Sequence, residues 1–197
     1  MPFHDDSVVE PSKAFLYTAP VGSAAPTKAI LDDFDQDNPD DLGTGMTVWK
    51  HAGHTDLDDD FNADEDGGDS ETRGTRQVPN LRERVEAVTE YIEINLVQFD
   101  DDSLTLYYGG GTTGDGYFDS TDSPAAVDYA TFIVYCDGPT RRVAEYHPKT
   151  SIRRNGPVNR EADGFLKMPI RLTPLKLAGQ PVTRWFGDTF EADPEDG

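Results

Sequence analysis

Apolar positions recur along this chain mostly with a period of two, which is the signature of half-buried strands. The segment Arg84–Gly111, RVEAVTEYIEINLVQFDDDSLTLYYGGG, organises the rest. Ile92, Ile94 and Leu96 fall on one face and Thr89, Tyr91, Glu93 and Asn95 on the other, so a long strand with one buried face is expected. After Phe99 the period changes. Asp100, Asp101 and Asp102 favour a helix start through capping and the helix dipole, Leu104 with Tyr107 and Tyr108 keeps helical spacing, and Gly109 is a natural stop. A short helix following the strand is therefore expected.

The same patterning predicts strands at Lys13–Ala19, Met46–His51, Ala126–Cys136, Arg141–His147, Thr150–Val158, Gly164–Lys176 and Val182–Phe186. Pro148 separates two of these, and Pro169 and Pro174 point to an edge or a subunit boundary. Ala126–Cys136 is apolar on both faces and reads as central. Ala29–Phe34 holds at most one helical turn, and Gly109–Pro124 reads as a glycine-rich connector. The expected fold class is mainly β: two packed antiparallel sheets, as a β-sandwich or partial barrel, with one short flanking helix. The expected division is a flexible N-terminal tail (1–12), one domain (13–187) and an acidic C-terminal tail (188–197). Within the domain, residues 52–83 carry few apolar side chains and read as a long acidic loop, a functional or disordered excursion.

Composition sharpens this picture. Only 36% of the 197 residues are hydrophobic, and 18 Gly with 14 Pro mark a loop-rich chain. No apolar run is long enough to cross a membrane as a helix, and the first residues lack a secretory signal pattern. The single cysteine, Cys136, excludes an intrachain disulfide and reads as a buried small side chain. The formal charge is −21, unevenly spread. Residues 1–72 carry 18 acids and 3 bases, whereas residues 137–197 carry 9 acids and 10 bases. Such a chain does not bind nucleic acid by neutralising phosphates.

The candidate chemistry is thin. Gly109-x-Gly111-x-x-Gly114 matches a dinucleotide fingerprint in spelling, but a helix precedes it where a strand is needed. Asn62-x-Asp64-x-Asp66-Gly67 begins like a calcium loop, yet its twelfth position is Arg73 where a bidentate Glu belongs. His51 and His54 have no third ligand to make a zinc site. No nucleophile–base arrangement stands out, so neither an enzyme nor a cofactor is expected.

Several segments carry a resemblance: KAFLYTAPVGSAAPT, VWKHAGHT, ETRGTRQ, EYIEINLVQFDDDSLTLYYGGG, AEYHPKTSI and MPIRLTPLK. Over about Lys13 to Phe186 the sequence resembles the major tail tube proteins of long, non-contractile tailed phages, particularly those of actinobacterial hosts. The resemblance implies a structural virion protein made in the host cytoplasm. It implies hexameric rings stacked head to tail into a tube, with strands lining a lumen through which DNA passes without specific binding. Its implied partners are further copies of itself and the tape measure, tail terminator and tail tip proteins, with no membrane. On that basis Thr89, Glu93 and Asn95 are expected to face the lumen, which should be net negative. Asp58, Asp59, Asp60, Phe61, Arg73, Arg76, Arg153 and Arg154 are expected at inter-ring or inter-subunit contacts. The competing class is a virion-surface β-sandwich that binds carbohydrate or a receptor, which would favour aromatics exposed in loops.

Overall fold

The structure, a computed structural model, describes residues 8–56, 61–73, 75–78, 81–160, 162–188 and 190. The elements in chain order are β1 (Lys13–Ala19), α1 (Lys28–Asp32), β2 (Lys50–His51), β3 (Asn62–Asp66), β4 (Ser70–Arg73), β5 (Arg82–Val85) and β6 (Thr89–Leu96). Then come α2 (Asp101–Tyr108), β7 (Gly111–Gly114), β8 (Tyr117–Ser120), β9 (Val127–Asp137), β10 (Arg141–Arg154), β11 (Met168–Pro174) and β12 (Arg184–Gly187). The protein is mainly β, as the patterning predicts. One large antiparallel sheet runs β2-β1-β9-β10-β11-β6-β3, with β12 also on β10; β4–β5 and β7–β8 form two small sheets.

β10 is the hub. Its first half pairs with β9 on one side and, over Val143–Tyr146, with β12 on the other. Its second half, Thr150–Arg154, exchanges β12 for β11. The register slips between His147 and Thr150. This bulge holds Pro148, whose missing N–H is harmless where the ladder is interrupted. Pro148 therefore bends the strand where the sequence reading had it end, and Thr150–Val158 is not a separate edge strand. β11 is likewise interior, between β10 and β6. The carbonyl of Pro169 accepts from Asn155 N–H at 2.9 Å, so the imide nitrogen faces the side where β10 has already finished.

Because β10 forks, the sheet curls and encloses two cores. Leu16 and Ile133 from β1 and β9 meet Ile92, Ile94 and Leu96 of β6 and Met168, Ile170 and Leu172 of β11, with Leu106 and Tyr107 of α2 in the same cluster. The neighbouring residues Tyr17 and Phe132 point the other way, into a second core with Leu31, Phe34, Leu42, Trp49 and Tyr146. The two-faced apolar run of β9 thus serves both cores, and Cys136 is buried in the second. Chain 52–56 ties the sheet's two ends together. Ala52 N–H donates to Leu16 O at 2.8 Å, and Val97 N–H donates to His54 O at 2.9 Å. The sheet curls towards closure without becoming a closed barrel.

α2 matches its sequence signals. Asp100 caps it by accepting from Ser103 N–H at 2.8 Å, and Gly109 ends it in the left-handed region at φ 73°. Four other readings need correction. Met46–His51 is mostly turn, with pairing only at Lys50–His51. The long strand from Arg84 is broken at residues 86–88, and the expected glycine connector contains the β7–β8 hairpin. Residues 52–83, read as a loop, contain β3, β4 and the start of β5.

Candidate assembly surfaces

β3 lies antiparallel on β6, from Asn62 opposite Glu93 to Asp66 opposite Thr89. The same pair of chain segments continues outward as β4–β5, from Ser70 opposite Val85 to Arg73 opposite Arg82. Gly67 and Gly68 join the two stretches with φ of 95° and 80°, and Glu86 N–H donates to Asp69 O at 3.0 Å across the joint. The result is a single interrupted hairpin, an arm whose outer half stands free of the body. Every residue of β4 and β5 is exposed. Near the tip, Val78 N–H donates to the Thr75 hydroxyl at 3.1 Å, and Thr75 N–H donates to Val78 O at 2.9 Å. That turn presents Arg76.

The sequence reading made this excursion one long acidic loop. The structure lays the acidic stretch 62–66 along β6 and gives the tip to the arginines instead. The physical reason is that alternate residues of NADED can pair with β6 while their carboxylates stay in water, a common way to protect a sheet edge. Val78, Leu81, Val85 and Val88 are all about half exposed along the arm, an apolar stripe that a monomer leaves uncovered. A two-stranded hairpin alone is marginal in water.

The outward face of β6 and its neighbours carries a polar ladder. Glu93 accepts from Arg171 Nη2 at 3.0 Å and from Asn155 Nδ2 at 2.8 Å. The Arg171 guanidinium lies 3.7 Å over the Tyr91 ring, and the Tyr91 hydroxyl donates to Asp64 at 3.0 Å. A backbone hydrogen bond from Glu65 and then the Tyr91 hydroxyl hold the Asp64 carboxyl below the usual carboxylate range. Thr89, Glu93 and Asn95 share this face, with Thr89 exposed and the other two half-buried. Arg153 sits opposite Arg171, so it belongs to the same face. Arg154 stands apart. It packs 5.1 Å over the Tyr107 ring and donates Nε–H to Gly156 O at 2.7 Å.

The remaining expected contact residues separate. Phe61 does not project; it is half-buried against Tyr135, with ring centroids 6.0 Å apart. Arg73 pairs with Glu71 at 3.0 Å, and Arg76, exposed in the tip turn, has no ion-pair partner among the described residues. Asp58, Asp59 and Asp60 lie outside the described residues. The glycine motif spans the α2 cap and β7, with no helix after it, and among the described residues no cluster of metal-ligating side chains forms.

Sequence reasoning missed a polar pocket inside the curl. Tyr135 donates its hydroxyl to Glu145 Oε1 at 2.7 Å, and Glu145 Oε2 lies 3.7 Å from His147 Nε2. Burial pushes the His147 pKa down to about 4. Burial raises the Glu145 pKa, and the Glu90 charge adds to that while the Tyr135 hydrogen bond opposes it. Tyr135, Glu145 and His147 share the β9–β10 hairpin, with Glu145 and His147 on one face at strand spacing, but their burial depends on distant strands and no local spacing signals it.

An arm that a single copy cannot cover, beside a polar sheet face, is what a self-assembling subunit presents, and the sequence comparison bears on the same point. The model of the phage tail tube protein family matches residues 1–195. The chain belongs to that family. It is 33% identical over 197 residues to the major tail protein Gp23 of Mycobacterium phage D29, covering 98% of both chains. It is 30% identical over 193 residues to Gp23 of Mycobacterium phage L5, covering 98% of this chain and 96% of that protein. Family membership covers the arm, the polar face and both cores alike. Among the described residues no helix is long and apolar enough to cross a membrane.

Proposed function

We propose that this protein is the building block of a phage tail tube: a structural virion component whose copies form hexameric rings that stack head to tail around a DNA-conducting lumen. The observation that carries this reading is the arm, with four half-exposed apolar side chains and no core of its own. A heterologous contact of that kind repeats without closing, and so builds a filament. Thr89, Glu93 and Asn95 then line the lumen, on a face where Asp64, Asp66 and Glu93 outnumber Arg171 and Arg153. Carboxylates there keep DNA moving, because a basic lining would hold it by counterion release. The role is structural rather than catalytic. The tape measure, terminator and tip proteins are the expected further partners.

The test is electron microscopy of concentrated full-length protein beside a variant in which Gly68 is joined directly to Ala87. The intact protein should form tubes, and the armless variant should stay folded and unassembled. Tubes from the armless variant would remove the arm from assembly. A second reading, a surface binding module, rests on a cavity of about 520 Å³ lined in part by Phe15, His51, Phe61 and Tyr135. A monomer that never assembles and binds glycans would favour it.

A further inference from the structure

Between the base of the arm and β12 lies a groove of about 510 Å³. Its walls are aromatic and acidic. Phe61 and Trp185 flank Tyr135, and Trp185 is half exposed while stacked on Tyr135 at 21° and 6.4 Å. Glu65 and Glu90 stand directly opposite each other on β3 and β6, on the face of Ile92 rather than that of Glu93. Like charges in that position repel. Glu145 faces them across the groove, close enough for the Glu90 charge to act on it. No lysine or arginine is among the described residues that line the groove.

A second, independent observation points to a missing group. His147 also lines the groove, its side chain is only 3% exposed, and its Nε2 has no hydrogen-bond partner among the described residues. Nδ1 lies 3.1 Å from the Thr183 hydroxyl and 3.4 Å from Val182 O; in the tautomer whose Nδ1–H donates to that carbonyl, Nε2 carries a lone pair that an incoming N–H would satisfy. What fits is a cation with several N–H donors and a flat face that stacks on aromatic rings, which describes a guanidinium. A bare metal ion fits poorly, since no group of three or more ligating side chains converges among the described residues.

We propose that this groove is the socket for an arginine of a second copy of this chain, Arg76 at the tip of that copy's arm. The proposal rests on the tail tube reading and names the contact within it. Charge complementarity selects the arm. Arg76, Arg82 and Arg84 all lie on it and have no ion-pair partner among the described residues, whereas the chain's own ends, with Asp5 and Asp6 and with Glu191, Asp193, Glu195 and Asp196, are acidic. The copy's own tip cannot serve. It lies some ten residues beyond Asp66, about 30 Å from the groove at strand rise. Val78, beside Arg76 in the tip turn and half exposed, would enter with it against the aromatic wall.

The experiment is a charge exchange in the full-length protein: Arg76→Glu, Glu90→Arg, and both together. Both positions are exposed, so thermal melting of each variant should match the wild type. Each single change should raise the protein concentration needed for tubes about tenfold or more, the scale of one lost desolvated charge contact. The double variant should recover most of that loss. Singles that assemble like the wild type, or a double variant that recovers nothing, overturn the pairing and leave the tail tube reading standing if the wild type forms tubes. Wild-type protein that never forms tubes removes the reading and the socket together.

Discussion

His147 shows how a single side chain ties this fold to pH. In the unfolded chain it titrates near the ordinary histidine value of 6.5, and in the folded protein burial holds it near 4. The native state therefore binds fewer protons in that window. Its contribution to stability is fully present above about 6.5 and is lost as pH falls towards 4, by about 3 kcal/mol at most. Glu145 works with the opposite sign, because its raised pKa costs stability at neutral pH and is relieved in acid. We expect His147→Gln to flatten the fall in melting temperature between pH 6.5 and 4, as differential scanning fluorimetry across that range would show; an unchanged acid limb would contradict it. At Leu96, which is 0% exposed in the first core, an Asp substitution should cost several kcal/mol and abolish soluble folded protein. Ordinary yield and melting of Leu96→Asp would count against that core. Leu96, Ile94 and Ile92 were legible in the sequence because strand alternation is a local property. The Glu145–His147 pair was not, since its burial depends on which strands become neighbours.

Among the elements, α2 was the most legible, because its start, face and stop are all written within ten residues. Its stop is also the most demanding. A Cβ at Gly109 would sit 1.9 Å from the Ala125 carbonyl oxygen, at a φ of 73°. Gly109→Ala should therefore destabilise by about 1–3 kcal/mol in a urea titration, more than the loss of glycine freedom alone would predict. Prolines misled where the sequence was read as isolated strands. Pro148 in β10 is tolerated by a bulge, and Pro169 in β11 by facing the end of a neighbour; neither fact is visible without the partner strand. The acidic stretch Asn62–Asp66 misled for a related reason. Its polarity describes the water on one side and says nothing of the backbone pairing on the other.

At the scale of the molecule, charge is the property that matters most for assembly. A net charge of −21 makes copies repel, so their contacts must be local and complementary. If the face bearing Thr89 lines a lumen, placing Arg at Thr89 and Asp66 should leave tubes intact and make them retain DNA at low salt, with release as salt rises. Filter binding of DNA to assembled tubes would show it, and salt-independent binding equal to the wild type would place that face elsewhere. The sequence resemblance pointed to the family, and the curled sheet agrees with its implied sandwich. What no single-chain pattern could show is which surfaces remain uncovered after folding, because exposure is a property of the finished shape.

The joint at Gly67–Gly68 sets the bearing of the arm. A Cβ at Gly67 would lie 2.3 Å from the Ala87 carbonyl oxygen, so no other side chain fits without turning the outer hairpin. Turning it has leverage. Over a lever of about 30 Å at strand rise, a tilt of ~10° swings the tip sideways by about 5 Å, more than the width of a guanidinium group. The pitch at which one copy meets the next would then be written less in the contact residues than in two glycines far from them, much as a hinge pin decides where a latch lands.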